Sequence, residues 1–485
     1  MATFTGTNSA EILPNLILGP VQAIGNDFVD ALGGDDIAIG WSGDDVIRGG
    51  AGADVIIGGL LNAAGIITLS GIDAADYTTS VDGVTIDLSV ILSLTLPILG
   101  INIQLTGASQ GFGGDAQGDW LVGIVNLLGS DTGADNLSGS AAANTLNGQG
   151  GDDFLDGQGG NDILLGGAGN DVLRGGGGAD SLQGGNGGDM VDYFTSGAGV
   201  TVDLSTQTAS GGDATGDTLS SIESIRGSEF ADNLTGSTGI NLISGEGGDD
   251  IIAGGAGADS LFGEGGNDTI DGGDGNDRLV GGGGADVLIG GAGTDTVYYD
   301  DAPSGVTVNL GNVAANTGDA AGDTYSGVEY FAGSAFNDIM IGDGGANLLS
   351  GWTGDDNLSG GGGKDQLFGG DGIDTLNGGA GADTLTGGAG ADNFVFSAAA
   401  DSGVGYAKAD LITDFATGDK IDLSEIVSGG TFIGSAAFGH HVGEVRAVTA
   451  GFQTGIFVDV NGDGAADMQI RLSGVHVLSA SDFIL

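Results

Sequence analysis

Apolar residues return at one fixed position in every nine along most of the chain. In one run this position holds Leu155, Leu164, Leu173, Leu182 and Val191. One apolar residue in nine cannot serve a helix, which needs three or four in every two turns. The spacing suits a very short strand whose central side chain points inward while its two neighbours point outward. The pattern therefore predicts short strands and no long helices.

The residues between these predicted strands are rich in glycine. The segment GGAGNDVLR at 166–174 is followed by GGGGADSLQ at 175–183 and GGNGGDMVD at 184–192. Tight turns with positive φ favour glycine. Two nine-residue half-coils then make one eighteen-residue coil, and stacked coils form a two-sided roll of parallel strands. We predict an all-β fold of tandem parallel β-rolls.

An aspartate stands two positions before the apolar residue in the same register. Three long runs and one shorter run near the N-terminus carry it, and the following aspartates are our predicted metal ligands: Asp36, Asp45, Asp54, Asp153, Asp162, Asp171, Asp180, Asp189, Asp250, Asp259, Asp268, Asp277, Asp286, Asp295, Asp356, Asp365, Asp374, Asp383 and Asp392. Weaker turns precede the long runs at Asp135 and Asn144, Asp232 and Asn241, and Asp338 and Asn347.

The spacing of these aspartates favours calcium. Residues eighteen apart would stack about 4.7–4.9 Å from each other, one strand spacing. Two oxygens facing one calcium ion lie about 4.6–5.2 Å apart, and glycine-rich turns supply further carbonyl oxygens. Magnesium requires a tighter octahedron, and zinc prefers nitrogen and sulfur ligands. The sequence predicts about ten or more Ca2+ ions bound between turns.

The amino-acid composition restricts which binding partners the protein can have. The 485 residues include 106 glycines, no cysteine and an acidic excess that gives a net charge of −57. Nucleic acid is excluded as a partner because phosphate binding needs lysine and arginine. The N-terminus lacks the pattern of a Sec-type signal peptide. We expect no transmembrane segment, because the longest apolar stretch, residues 90–101, is too short to span a bilayer.

The nonapeptides resemble the RTX, or haemolysin-type, calcium-binding repeats, and this resemblance implies a parallel β-roll with calcium between turns. Residues 391–426 are similar to the C-terminal region shared by serralysins and many type I secretion substrates. The ending LSASDFIL at 478–485 resembles the uncleaved signal of those exporters. The resemblance implies a type I exporter as partner, a Gram-negative producer and an extracellular or cell-surface location.

Segments that are similar to one another in sequence separate the runs of nonapeptides. Residues 83–89, 199–205 and 305–311 match one another, and each is followed by a G-D-A-x-G-D element. We read them as β spacers, and whether Asp213, Asp217, Asp319 and Asp323 add calcium sites stays open. The predicted domains are a short β-roll at 1–59, a spacer with an apolar insertion at 60–134, a β-roll at 135–191, a spacer at 192–231, a β-roll at 232–297, a spacer at 298–337, a β-roll at 338–396 and a serralysin-like C-terminal domain with secretion signal at 397–485.

Residues 459–467 match the start of an EF-hand loop, with Asp459, Asn461, Asp463 and Gly464 in the correct places. The twelfth position is Ile470 rather than the bidentate glutamate. Alternating residues on both sides favour a β-hairpin instead. Whether the loop binds calcium stays open.

The sequence favours a protein without catalytic activity. His440, His441 and His476 are the only histidines, and none stands in the H-E-x-x-H motif of serralysin-type proteases. The leading interpretation is a secreted calcium-binding scaffold of the cell surface, surface layer or matrix, which self-assembles or contacts cell-surface polysaccharide. The alternatives are a polysaccharide lyase or epimerase, an adhesin, and an ice- or polysaccharide-binding rod.

Overall fold

The fold comes from a computed structural model. It describes residues 124–485 without a gap and, before them, residues 3–5, 26–40, 44–58, 60–61, 67–68, 73–80, 82, 84–88, 92–98, 101–112, 114–116 and 120–122. Parts of the predicted N-terminal roll, of the first spacer and of its apolar insertion therefore lie outside the described residues. The chain divides into two compact units, Met1–Glu246 and Gly247–Leu485.

Each coil of the roll advances the chain by eighteen residues. Leu155 lies opposite Leu173 on parallel strands, and Leu164 lies opposite Leu182 in the facing sheet. The same register joins Ile270 to Leu288 in the second unit. The predicted all-β fold of tandem parallel β-rolls is confirmed.

The core is a single file of aliphatic side chains between the two sheets. Leu155, Leu164 and Leu173 are fully buried, whereas Val172 and Arg174 on either side of Leu173 are half-buried. Alternation over three residues is enough to point one side chain inward. The core is thin because each half-coil contributes one large apolar group.

The strands of the first unit are mostly three to six residues long. Their bounds are Thr3–Thr5, Phe28–Asp30, Ile37–Ile39, Val46–Arg48, Val55–Ile57, Leu60–Leu61, Ile67–Thr68, Asp73–Asp76, Thr85–Asp87, Leu92–Ile98, Ile101–Phe112, Trp120–Val122, Ile124–Leu128, Asn136–Ser140, Thr145–Gly150, Phe154–Gln158, Ile163–Ala168, Val172–Arg174, Ser181–Asn186, Met190–Asp192, Thr201–Asp203, Thr208–Ser210, Thr218–Ser220, Ser224–Arg226, Asn233–Thr235 and Leu242–Ser244. Short 3-10 turns occupy Gly114–Ala116 and Gly212–Ala214.

The strands of the second unit are similarly short. The bounds are Ile251–Ala256, Ser260–Phe262, Thr269–Gly275, Arg278–Val280, Val287–Gly293, Thr296–Tyr298, Thr307–Asn309, Thr324–Ser326, Tyr330–Ala332, Ile339–Ile341, Leu348–Thr353, Asn357–Ser359, Gly362–Gly363, Gln366–Asp371, Thr375–Asn377, Ala380–Gly381, Thr384–Ala389, Asn393–Val395, Asp410–Ile412, Lys420–Asp422, Thr431–Phe432, Glu444–Ala450, Gln453–Asp459, Met468–Ser473 and Phe483–Ile484. Its 3-10 turns are Val313–Ala315, Gly318–Ala320 and Ala480–Asp482. No helix in the described residues is long and apolar enough to cross a membrane.

The segments between the runs add strands to the roll instead of interrupting it. Thr218–Ser220 pairs in parallel with the strand that begins at Ser181, and Ser224–Arg226 pairs with Met190–Asp192. Along the chain, a hairpin of Thr201–Asp203 and Thr208–Ser210 lies between the strands Met190–Asp192 and Thr218–Ser220. The spacers therefore place their own side chains beside the last aspartates of the first and second long runs.

The C-terminal region closes the second unit with longer strands. Gln453–Asp459 pairs antiparallel with Glu444–Ala450 on one side and Met468–Ser473 on the other. The last strand, Phe483–Ile484, pairs in parallel with the strand Lys420–Asp422.

Candidate calcium-binding sites

All the predicted aspartates are buried at the ends of the glycine turns. None of them is more than 2% exposed. Each precedes the inward-pointing residue of its strand by two positions, so the strand register that buries the aliphatic residue also fixes the carboxylate. The register thus removes from water a set of carboxylates that solvent would normally stabilise.

Aspartates eighteen residues apart are directly linked. The Oδ1 atom of Asp171 accepts the backbone N–H of Asp153 at 2.9 Å, and Asp189 does the same for Asp171. We call such a chain of linked side chains a carboxylate series. The links among predicted ligands are 36–54, 153–171–189, 162–180, 250–268–286, 259–277–295, 356–374–392 and 365–383.

In many of these carboxylates, the second oxygen has no donor. Buried Oδ2 atoms without a hydrogen-bond partner belong to Asp153, Asp162, Asp171, Asp180, Asp189, Asp268, Asp277, Asp286, Asp295, Asp356, Asp365, Asp374, Asp383 and Asp392. An ionised carboxylate buried without a partner is strongly unfavourable, so it must be protonated or paired with a cation. These atoms are where a metal ion would be held.

Burial also shifts the titration of the carboxylates. Desolvation raises the pKa of Asp153, Asp286 and Asp356 to about 7, and the backbone N–H that each accepts offsets only part of this effect. Neighbouring carboxylates raise the pKa further. A bound cation would reverse the balance by stabilising the charged form.

The first glycine of a nonapeptide keeps space beside Oδ2 of the aspartate in its own turn. A methyl group placed on Gly254 would lie 2.5 Å from Oδ2 of Asp259 and 2.7 Å from the carbonyl oxygen of Gly272. A carboxylate oxygen and a carbonyl oxygen of the next coil therefore converge on one point. The same pairing recurs beside Gly166 and Gly263.

The donor set fits calcium. Within the described residues, no group of three or more His, Cys, Asp or Glu side chains is placed to hold a metal ion. Carboxylates and main-chain carbonyls would therefore share the coordination, and an all-oxygen set of this kind is typical of calcium.

In the turns that precede each long run, the protein itself supplies hydrogen-bond donors to both carboxylate oxygens of the aspartate. Asp232 accepts the backbone N–H and the hydroxyl of Ser228, and Asp338 accepts the same two donors from Ser334. The equivalent Asp135 is bonded by Ser130. These carboxylates resemble the predicted ligands in the sequence but have donors at both oxygens.

The spacers supply the side chains that end the series. Asp217 accepts the backbone N–H of Asp180 through Oδ1, and its Oδ2 accepts the buried hydroxyl of Tyr193. In the second unit, Asp323 has the same two partners in Asp286 and Tyr299. Both oxygens of these two aspartates therefore have donors. Sequence reasoning left these positions open and did not single out the tyrosines.

Glutamates end the other series of the first two runs. The Oε2 atom of Glu223 accepts the backbone N–H of Asp189, and Glu329 accepts that of Asp295. Sequence reasoning missed both residues because they lie 34 rather than eighteen positions downstream.

Two further aspartates in these series were missed. Asp27 donates its backbone N–H to Asp45 and lies nine residues before Asp36, so the repeat register could have found it. Asp410 accepts the backbone N–H of Asp383 at 2.9 Å. It lies 27 residues beyond Asp383, and no glycine turn of the repeat type precedes it.

The EF-hand-like segment forms a hairpin turn. Asp459 accepts the backbone N–H groups of Gly462 and Gly464, and Asp467 accepts that of Val460. His441 contacts Glu444 at 3.1 Å in a neighbouring loop. The loop is thus held by its own main-chain donors.

The fold and the buried carboxylates define a class: a parallel β-roll built to hold cations between its turns. The RTX calcium-binding nonapeptide repeat family matches residues 23–60, 130–164, 156–191, 226–261, 262–297, 332–367, 359–394 and 368–403. These segments cover just over half of the chain, and the protein belongs to this family.

Similar solved structures include two repeat subunits of one enzyme. The chain is 32% identical to the AlgE6R2 subunit of the Azotobacter vinelandii mannuronan C5-epimerase, over 30% of this chain and 91% of that subunit, with a TM-score of 0.25. It is 28% identical to the AlgE6R3 subunit of the same epimerase, over 31% and 78%, with a TM-score of 0.18. No curated protein matches the chain.

Proposed function

We propose that the protein is a secreted, non-enzymatic calcium-binding scaffold that folds when it reaches calcium outside the cell. The observation that carries this proposal is the set of buried Oδ2 atoms without donors in the repeats. A protein that kept these carboxylates charged and unpaired would be destabilised at every coil. Calcium supplies the missing positive charge when it binds.

Folding and calcium binding are coupled in this proposal. The chain has a net charge of −57, and its 106 glycines lose much backbone freedom on folding. The single file of aliphatic residues opposes these costs with little buried area per coil. Because an unfolded chain has no preformed site, the free energy of metal binding becomes folding free energy.

Circular dichroism of the full chain in chelator, followed by calcium addition, tests the coupling. We expect a largely disordered spectrum in chelator and a β spectrum after calcium addition. Magnesium at the same concentration is the control, and it should give a smaller change because it dehydrates reluctantly. A full β spectrum in chelator that calcium does not change would contradict the proposal.

Export through a type I system is the second part of the proposal. It is supported by the likeness of residues 478–485 to the signals of such exporters. Because Phe483–Ile484 pairs with another strand in the folded chain, an exporter would read this segment before folding. A chain without residues 478–485 should remain inside a producing cell while still binding calcium after purification. Normal secretion of the truncated chain would contradict this part.

Direct observation of the purified protein distinguishes the scaffold role from the alternative functions. Electron microscopy with calcium should show self-assembled sheets if the protein is a surface-layer subunit. Single rods that bind a polysaccharide would favour an adhesin or ligand-binding rod. Turnover of a polysaccharide by the calcium-loaded chain would contradict the absence of catalysis.

A further inference from the structure

The antiparallel sheet of the C-terminal region carries an open cavity of about 250 Å³ on one of its faces. Residues directly opposite each other on antiparallel strands share a face of the sheet. Gly455 lies opposite Val448 on one side and Arg471 on the other, so these three positions share the face of the cavity. Ile456 and Ile470 are fully buried on the other face. The residues that the argument below uses from the lining are Tyr406, Val448, Gln453, Phe457, Gln469 and Arg471.

Gly455 provides room for the cavity in the middle of the sheet. A glycine inside a strand often marks a place where a ligand or another group approaches the backbone closely. The ring of Phe457 lies beside this position, and a Cβ on Gly455 would stand 2.9 Å from it. The φ of Gly455 is not in the left-handed region, so space rather than backbone conformation accounts for this glycine.

Arg471 is the only charged residue in the lining of this cavity within the part of the chain that the structure describes. The residue is 9% exposed, and it forms no ion pair with any described residue. Its Nη1 donates to the carbonyl oxygen of Tyr406 at 3.0 Å, and its Nε is buried without a hydrogen-bond partner. A neutral carbonyl does not cancel the charge, and a buried ion is costly unless an opposite charge compensates it.

Other arginines of the chain are better provided for. Those that contact a carboxylate are Arg48, Arg174, Arg226 and Arg278. Arg446 lies on the same face as Arg471 and has no ion pair within the described residues, but it is only half-buried and its guanidinium lies over the ring of Phe438. It does not line the cavity. The guanidinium of Arg471 therefore lacks both solvent and a counter-charge.

The other lining residues suit a sugar ring beside the charge. Tyr406 is 70% exposed, and its ring is held by the guanidinium of Arg471 at 3.7 Å. Such a ring offers an apolar surface to the C–H groups of a sugar. Oε1 of Gln469 accepts the N–H of Gly405, which leaves its amide NH2 as a donor, and Gln453 supplies a second amide. The cavity is smaller than the about 300–1,000 Å³ of sites for drug-sized ligands, so it accommodates a single ring.

We propose that this cavity binds an acidic sugar residue, with Arg471 pairing with the carboxylate and Gln469 donating to a hydroxyl. The planar guanidinium matches the two oxygens of a carboxylate, which a neutral sugar does not offer. The site does not depend on the number or the position of the calcium ions, so this inference and the proposed function can fail separately.

A ligand-observed NMR titration of the calcium-saturated full chain with glucuronate tests the site. Glucose has the same ring without the carboxylate, and we expect it to bind at least about tenfold more weakly. Arg471→Gln should lower the affinity for glucuronate by at least the same factor. Arg446→Gln removes the same charge from the same sheet and should keep the wild-type affinity. Because both variants keep every predicted calcium ligand, a difference between them does not arise from chelation of calcium by glucuronate.

A wild-type chain that does not bind glucuronate, or an equal loss in the two variants, would overturn the inference. Equal binding of N-acetylalanine, a carboxylate without a sugar ring, or of sulfate would overturn the assignment to a sugar. If Arg471→Gln does not give the wild-type β spectrum, a crystal structure of the wild-type chain with glucuronate decides. The carboxylate is expected beside Arg471, and any other position would overturn the site. A chain that binds glucuronate but no calcium would support the site and contradict the proposed function alone.

Discussion

At the residue scale, the first glycine of each nonapeptide is needed because a larger residue would not fit. It lies against the carboxylate of its own turn. Beside Gly166, Gly254 and Gly263, a carbonyl of the next coil approaches the same space, and any Cβ would fill it. The third glycine of the turn GGGGAD, at position 177, instead has no atom within 4 Å of the place where a Cβ would stand. Glycines of one turn therefore differ in how far they tolerate a side chain.

Gly166→Ala should destabilise the calcium-loaded protein by about 1–3 kcal/mol, because the methyl group would displace Oδ2 of Asp171 and crowd the carbonyl of Gly184. Calcium affinity should fall with it. Thermal unfolding in saturating calcium measures the first effect, and calcium titration measures the second. Gly177→Ala is the control and should be neutral or slightly stabilising. Equal effects of the two substitutions would contradict this role of Gly166.

A single aspartate should act mainly on its own series. In Asp268→Ala, the N–H of Asp250 loses its acceptor and one Oδ2 ligand disappears, while the links of Asp277 to its neighbours stay intact. We expect calcium affinity to fall at least about tenfold in the 250–268–286 series. Site-resolved calcium titration checks this result.

The exposed Asp271 provides the control for this substitution. Asp271→Ala removes the same charge from the surface, where it acts on Asp277 only through its field, and should leave calcium affinity in the 250–268–286 series nearly unchanged. Equal losses in the 250–268–286 and 259–277–295 series after Asp268→Ala would contradict the two-sided roll.

At the scale of elements, the spacers end the carboxylate series with their own donors. Tyr299 follows the strand Thr296–Tyr298 and is 1% exposed, and its hydroxyl contacts both Asp323 and Tyr325. The first unit repeats the arrangement with Tyr193 and Asp217. Spacers are therefore structural parts of the roll whose stability does not require a bound ion at these aspartates.

Tyr299→Phe should lower the free energy of unfolding by about 1–3 kcal/mol, because it leaves Oδ2 of Asp323 buried without its donor. The loss should be the same at low and at saturating calcium, provided that the chain is folded at both. Denaturant unfolding at the two calcium concentrations checks this. Tyr298→Phe is the control, because the ring contact of Tyr298 with Arg278 survives in phenylalanine. A loss that calcium abolishes would show that the ion can replace the hydroxyl, contrary to expectation.

At the scale of the whole molecule, the buried carboxylates make stability depend on pH in opposite ways with and without calcium. Burial raises the pKa of Asp153 and Asp356 from 3.8 to about 7. Without metal, these groups stabilise the fold fully below pH 3.8, and the contribution is lost as the pH rises through about 7. Calcium requires the charged form, so its binding weakens over the same range as the pH falls.

Acidification from about pH 8 to about pH 5 should therefore raise the β content or the melting temperature of the chain in chelator. The same change should lower calcium affinity in titrations. Repeating the melts in about 1 M salt is the control, because salt screens the general repulsion of the chain but not the buried groups. A metal-free chain that loses structure on acidification would contradict the raised pKa values.

The sequence by itself determined the repeating part of the protein. A period of nine with one aliphatic residue and one aspartate fixes a half-coil, since each half-coil is built from neighbours in the chain and repeats in register. The alternation around Leu173 placed it in the core, and the spacing of eighteen placed Asp171 beside Asp153 and Asp189. These features follow from local geometry that recurs in every coil.

Only the tertiary structure decided which aspartates keep a free oxygen. Asp217 and Asp323 are satisfied by tyrosines 24 residues before them, whereas Asp410 joins the series of Asp383 across an irregular connection of 27 residues. The difference arises because the hydrogen-bond donors come from elements outside the nine-residue repeat, and packing alone brings them to the carboxylate.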